Sequence, residues 1–249
     1  MIELTHISVT FGKNTPLEHH VFKDLHLKIE SGDFVTVIGG NGAGKSTLMN
    51  VISGDIKVDN GKVLLDRKNV THLLPHERAH LISRVFQDPL LGSYADLSIE
   101  ENLSLAYSRG QRRSSLKLAL NSKLRERFRS ILADIGIGLE DRFQDRMGLL
   151  SGGQRQAVSL LMATLRPAKI LLLDEHTAAL DPKMERLILQ LTQRLIDEHK
   201  LTALMITHCM NQALEFGTRT IVMHHGKIVR DLEGAARREL QPSELVPFF

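Results

Sequence analysis

The order of apolar patterns along the 249 residues predicts an α/β fold: a mostly parallel core sheet with flanking helices, a β-rich start and an embedded helical subdomain. Three observations carry this reading. Residues 34–38 (FVTVI) form a continuous apolar strand that runs into a glycine-rich turn and then a helix. Strand-like runs return at 170–173, 203–206 and 220–224, each separated from the next by a helical stretch. Between these two halves, residues from about 88 to 166 are mostly helical in pattern.

Taken in order, residues 2–11 and 25–29 alternate apolar and polar side chains with a period of two, which predicts two half-buried strands. After the strand at 34–38, the helix is expected to begin near Lys45, and a further strand at 81–86. Ser98 and Glu101 have the spacing of a capping box, so the first clear helix of the middle region starts at Ser98. The chain therefore reads as a single domain, 1–249, with a core from 1–87 and 167–249 and a helical subdomain at about 88–166. No internal repeat, low-complexity tract or long linker interrupts it, and the basic run at 109–113 (RGQRR) reads as a solvated loop.

Composition sets limits on function. Hydrophobic residues make up 42% and charged residues 24%, values that suit a packed globular core. A net charge of +3 is too mild to argue for nucleic acid, and it also suits a protein beside an anionic membrane surface. Cys209 is the one cysteine, so no internal disulfide forms and a reducing compartment is expected. The first residues, MIELTHISVTFG, lack a basic-then-apolar leader, and no run approaches the ~20 apolar residues that span a bilayer. The expectation is a soluble, cytoplasmic protein that reaches a membrane only through partners.

Residues 39–46 (GGNGAGKS) fit the phosphate-binding loop G-x-x-x-x-G-K-[ST], in the strand-to-helix context that the chemistry needs. Gly39, Gly40, Asn41, Gly42, Ala43 and Gly44 turn backbone N–H groups toward one point, and the helix that follows adds its N-terminal dipole. Lys45 is expected on the β- and γ-phosphates and Ser46 on Mg²⁺, with Thr47 completing the nucleotide-binding stretch. Residues 170–175 (ILLLDE) form an apolar strand ending in two acids. Asp174 is expected to hold Mg²⁺ directly or through water, and Glu175 to polarise an attacking water.

Residues 150–156 (LSGGQRQ) open a helix with Ser-Gly-Gly, a second anion-binding N-terminus in the same chain. One ATP does not need two such sites on one subunit, whereas two subunits packed head-to-tail would use both. With this motif between the phosphate loop and the acidic strand, the chain resembles the ABC ATPase family over essentially its whole length. The resemblance implies a RecA-like P-loop NTPase core with an N-terminal antiparallel β subdomain and an inserted helical signature subdomain. It also implies ATP and Mg²⁺ as ligands, with Ser151, Gly152, Gly153 and Gln154 covering the nucleotide of a second copy.

Further family positions follow one by one. Gln87, in VFQDP, matches the glutamine that links the nucleotide and its metal to the helical subdomain; Asp181, in ALD, matches the aspartate loop; His208 matches the switch histidine. The resemblance thus makes Glu175, His208 and Gln87 the catalytic set. Phe11 lies where the family places an aromatic that stacks on adenine, although a phenylalanine near a strand end also serves as core. His176 departs from the family by standing where many members carry proline, and Cys209, after the switch histidine, is expected to pack as a small hydrophobe. Residues 76–80 (HERAH), extended by His72, match the zinc-protease pattern H-E-x-x-H. Pro75 starts a short polar helix there, so a solvated helix without metal is expected.

Transport also enters through resemblance. A family member with no span and no effector domain delivers its work to another protein, and the surface from Asp88 to Leu105, with Gly92 and Tyr94, corresponds to the site that receives a helix of the transmembrane permease. LLLDEHTAALDP (171–182), with GGNGAGKST, VFQDPL and the helix at 149–165, is similar to a bacterial subgroup of importer ATPases that work with extracytoplasmic binding proteins for amino acids, tryptophan-like ligands included. The implied place is cytoplasmic, peripheral on the inner face of the cell membrane. A soluble ABC ATPase of iron–sulfur-cluster assembly has similar length and motifs and stands as the alternative. Chromosome-maintenance relatives would need a long coiled coil and translation-associated relatives two cassettes, and neither feature is present.

Overall fold

In the computed structural model, which describes residues 1–109, 122–166, 168–240 and 242–245, side-chain alternation decides the first strands. β1 (Ile2–Phe11) buries Ile2, Leu4, Ile7 and Val9. The step from Leu4 to Ile7 breaks the period of two, and a bulge sits there: the register against β2 (His19–Ile29) moves from Leu4↔Leu27 to Ile7↔Leu25. β2 begins six residues before the expected start at 25 because its first half, His19 to Lys23, in which only Phe22 is fully buried, still pairs with β1. Hydrogen bonding to a neighbour extends the strand beyond what alternation reveals.

β3 (Phe34–Ile38) is buried at every position and feeds the glycine turn before α1 (Lys45–Ser53). β4 (Asn60–Leu65) and β5 (Lys68–Asn69) complete an antiparallel sheet in the order β2-β1-β4-β5. Short α2 (Pro75–Arg78) then leads to β6 (Ile82–Val85). His72, His76, Glu77 and His80 around α2 are exposed as expected, but Arg78 turns inward. Its guanidinium donates to the carbonyls of Val51 and Ile52 at 2.8 Å and of Leu73 at 3.0 Å, so it caps the last turn of α1.

Among the described residues the middle of the chain holds α3 (Ile99–Tyr107), α4 (Ser122–Ala133) and α5 (Gly152–Thr164). Ser98 caps α3 in a capping box with Glu101, as the spacing predicts. Of the basic run at 109–113, only Arg109 lies within the described residues; it donates to Ser83 Oγ at 2.7 Å.

The second half alternates β7 (Ile170–Asp174), α6 (Pro182–His199), β8 (Thr202–Ile206), α7 (Met210–Glu215) and β9 (Arg219–His224), then adds β10 (Lys227–Glu233) and α8 (Gly234–Arg238). The large sheet runs β10-β9-β3-β8-β7-β6, parallel from β9 to β6, with β10 antiparallel at one edge. Its pleat divides two cores. Leu171, Leu173, Ala203 and Met205 face the helices α5 and α6, whereas Ile170, Leu172, Leu204 and Ile206 face α1 and the antiparallel sheet. Both faces are covered, which is why these strands read as continuous apolar runs. β4, β5 and β10 escaped the sequence reading because they are short or largely exposed and carry charged residues.

Candidate functional site

The C-terminal ends of β3, β6, β7 and β8 are neighbours in the large sheet, and residues just beyond them gather the expected chemistry. After β3, the loop turns at Gly39 (φ +148°) and Gly44 (φ +99°). A side chain at Gly39 would meet the Met223 carbonyl oxygen at 2.1 Å, and one at Gly44 the Phe22 ring at 2.8 Å, so the loop closes only with glycine. Lys45 is buried and folds back over the loop, donating to the carbonyls of Gly39 at 2.6 Å and Gly40 at 3.0 Å. Burial holds its pKa below the usual lysine range, with the nearby Glu175 carboxylate opposing that shift. Ser46, in the first turn of α1, is exposed, and Thr47 is half-buried.

Beyond β7, Glu175 takes the left-handed φ of +46°, and its N–H donates to the Ile206 carbonyl of β8 at 3.1 Å. That turn aims its carboxylate at His208, whose Nε2 lies 2.6 Å from Oε1. Non-glycine residues in this conformation are strained by about 1–3 kcal/mol, and such strain concentrates at functional turns. Asp174, at the end of β7, accepts from Arg84 Nη2 through Oδ2 at 2.6 Å. Gln87, two residues past β6, is exposed. The structure thus brings together the loop, Lys45, Asp174, Glu175 and His208.

The LSGGQ segment forms its own unit. Ser151 caps α5: its Oγ accepts from Gln154 N at 3.2 Å and its N–H donates to Gln154 Oε1 at 3.2 Å. Gln154 Oε1 also accepts from Arg142 Nη1 at 2.9 Å. Ser151 and Gly152 are exposed at this helix start, the N-terminal end of a thirteen-residue helix and of its dipole. Asp181 caps α6 through Oδ1 and Met184 N at 3.1 Å. Phe11, at the end of β1, is 43% exposed, which favours a surface role over core packing.

Two residues outside the expected set bear on the site. Arg84 lies on β6 with its guanidinium turned into the site; a charged residue interrupting an apolar strand is the signal that marks it in the sequence. His176, the departure from proline, is buried, and its Nε2 lies 3.0 Å from Thr192 Oγ1. Thr192 Oγ1 donates to the Ile188 carbonyl at 2.7 Å, so the imidazole Nε2 is the donor to Thr192. The ring pins the turn after Glu175 to the middle of α6.

Burial lowers the His176 pKa from 6.5 to about 4. The unfolded chain therefore takes up a proton near pH 6.5 that the folded chain refuses until about pH 4, so stability is lost as pH falls through that window. The loss amounts to about 3 kcal/mol. Urea unfolding at pH 7.5, 5.5 and 4.5 should show it, and His176→Phe should flatten the dependence; an unchanged slope in that variant would assign acid sensitivity elsewhere. Cys209 is half-buried before α7, its N–H donating to Thr207 Oγ1 at 3.1 Å.

The HERAH histidines do not form a metal cluster among the described residues. His80 Nδ1 instead pairs with the Glu77 carbonyl at 2.8 Å. The grouping with metal-ligand spacing is His6, Asp24 and His26 on the exposed face of the antiparallel sheet. There both imidazoles bond the same Asp24 oxygen, at 2.8 and 3.2 Å.

Comparison with known proteins gives the family. The family model described as ABC transporter matches residues 22–178. A tyrosine transport ATP-binding protein of Clostridioides difficile (strain R20291) is 40% identical over 249 residues, covering 100% of this chain and 98% of that protein. The thiamine import ATP-binding protein ThiQ of Escherichia coli (strain K12) is 34% identical over 229 residues, covering 92% of this chain and 90% of that one. Among solved structures, a dimeric ATP-binding cassette in a post-hydrolysis state, bound to ADP and Pi, superposes with a TM-score of 0.78 at 29% identity, covering 94% of this chain and 98% of that one. The ADP conformation of an ATP-binding cassette of an ABC transporter gives 0.81 at 26% identity, covering 100% and 97%. With a phosphate loop, an acidic strand end and an LSGGQ helix start in one chain, this protein belongs to the ATP-hydrolysing ATP-binding cassettes of the ABC transporter family.

Proposed function

We propose that this chain powers a membrane importer of small solutes, with an amino acid or a similar molecule as cargo. The observation that carries the reading is the full-length likeness to a tyrosine transport ATP-binding protein. The thiamine import relative supports import as the direction, and both favour transport over cluster assembly. No helix among the described residues is long and apolar enough to cross a membrane. In this proposal the work passes to a transmembrane permease, with the chain peripheral on the cytoplasmic face. An extracytoplasmic binding protein would complete the system.

Two copies would bind two ATP molecules head-to-tail. On one copy the loop Gly39–Gly44 and Lys45 hold the phosphates, with Lys45 exchanging its loop carbonyls for phosphate oxygens, and Phe11 stacks on the base. The helix start at Ser151, Gly152, Gly153 and Gln154 of the second copy closes over the same phosphates, and Asp181 lies beside that junction. Mg²⁺ fits the oxygen donors present: the exposed Ser46 hydroxyl, the Asp174 carboxylate and the Gln87 amide. When bound, it neutralises charge on the β- and γ-phosphates. Glu175 orients the attacking water, and His208, already on the Glu175 carboxylate, reports on the γ-phosphate. The division into a core (1–87, 167–249) and a helical subdomain (about 88–166) belongs to the same proposal.

The permease would dock between β6 and the helices. A cavity of about 450 Å³ opens there, lined by Phe86, Pro89, Gly92, Tyr94, Leu105 and Met162. Tyr94 in that lining is 64% exposed, and Leu91, next to Gly92 in the chain, is 70% exposed, so the segment offers apolar surface suited to an inserted helix. Copurification of the tagged chain from detergent-solubilised membranes should recover a multi-span protein in comparable amount; soluble scaffold proteins in its place would overturn transport. Leu91→Asp with Tyr94→Asp should reduce permease recovery and ATP-driven uptake about tenfold or more, with ATP hydrolysis by the isolated chain within about twofold of the parent. Loss of nucleotide binding in that variant would mean the surface serves the ATP site instead.

A further inference from the structure

Arg84 binds more than one strand needs. Its side chain is 15% exposed and reaches three elements at once. Nη1 donates to Asn50 Oδ1 on α1 at 2.8 Å and to Asp55 Oδ2, in the turn after α1, at 3.1 Å. Nη2 donates to Asp174 Oδ2 at 2.6 Å. The guanidinium also lies 4.8 Å from the Phe86 ring centroid, and its Nε is buried with no hydrogen-bond partner among the described residues. A fork that leaves one N–H orphaned while three acceptors are met is set by those acceptors and not by its own satisfaction.

We infer that Arg84 is the positioning residue for the Asp174 carboxylate: it fixes Oδ2, leaves Oδ1 for the cation, and ties the end of β7 to β6, the strand that delivers Gln87. This rests on the reading of Asp174 as a metal ligand. A cation beside a metal ligand both orients it and repels the metal, and the two effects oppose each other. Here Asp55, 3.1 Å from the same guanidinium, offsets its charge, so orientation prevails. Outer partners that orient a metal ligand are worth about 10–100-fold in metal affinity.

The test measures ATP binding calorimetrically across a Mg²⁺ series, in full-length protein carrying Glu175→Gln to stop turnover. Arg84→Met should raise the Mg²⁺ concentration for half-maximal tight binding about 10–100-fold, with Mg²⁺-free ATP affinity within about twofold of the parent. Arg84→Lys should shift it by at least about threefold in the same direction, since one ammonium cannot span all three acceptors; this variant decides the matter if Arg84→Met does not fold. An unmoved Mg²⁺ requirement in Arg84→Met or, failing that, in Arg84→Lys overturns the inference, and a lowered one would make the guanidinium a competitor of the metal. Asp174→Asn separates the two readings. If it leaves the Mg²⁺ requirement unmoved, the metal role of Asp174 fails. If it abolishes the Mg²⁺ effect while Arg84→Met leaves it intact, only the role of Arg84 fails.

Discussion

Glu175→Gln is expected to keep ATP binding and lose hydrolysis by about 10²–10⁴-fold, the range typical of a removed general base. The substitution preserves shape, and the amide oxygen still accepts from His208 Nε2, now 2.6 Å from Oε1, so the left-handed turn at φ +46° keeps its anchor. What disappears is the group able to take a proton from water. One negative charge also leaves the neighbourhood of Lys45, where Glu175 helps to keep the ammonium charged. Burial dominates that balance, and the phosphates themselves supply anionic partners, so affinity for ATP should stay level or rise. Steady-state phosphate release and equilibrium ATP binding on the same preparation read the two quantities separately. Near-normal phosphate release would remove Glu175 from the role and direct attention to His208.

Much of the site was legible because its chemistry is local. The loop 39–46 announces itself through glycines at fixed offsets, and residues 34–38 through an unbroken apolar run, which the structure explains by burial on both faces of a parallel sheet. Ser98 declares a helix start by Glu101 three residues on and Ser151 by its Ser-Gly-Gly entry; the structure forms the first capping box and adds a second between Ser151 and Gln154. Contacts that need two distant strands side by side were not legible. The meeting of His208 with Glu175 depends on β8 lying next to β7, and the meeting of Arg84 with Asp174 on β6 lying on the other side of β7. Likewise the first half of β2, from His19, pairs because β1 is there to receive it, and its adjacent Val21 and Phe22 give residues 19–23 no alternation that reports that.

The same distinction separates the two helix starts proposed to bind anions. The phosphate loop is fixed by close backbone approaches, 2.1 Å for a side chain placed at Gly39, so its shape is dictated from within the subunit. The start of α5 is built differently. Ser151, Gln154 and Arg142 form a closed hydrogen-bonded set that holds the helix terminus open and exposed. A terminus left exposed in this way fits the proposal that it meets a ligand held by a second copy.

Gly152→Asp should therefore abolish ATP-driven pairing and reduce hydrolysis about 100-fold or more, leaving ATP binding to the chain's own loop within about twofold. The fold has room for the change: a side chain at Gly152 would find Leu180 Cδ2 at 4.0 Å as its nearest neighbour. An aspartate in the first turn of α5 also suits the helix dipole, so stability should hold or improve. The adjacent Gly153 makes a poor test, since a side chain there would lie 2.0 Å from Met184 Cγ and disturb α6. A carboxylate at 152 instead occupies the place where the second copy's phosphates would bind and repels them. In the Glu175→Gln background, light scattering with ATP should find dimers of the parent and monomers of the Gly152→Asp variant. Dimers in both would mean that α5 does not close over the opposing nucleotide. Loss of ATP binding by the single subunit would mean that both anion sites serve one nucleotide, and the head-to-tail arrangement would have to be abandoned.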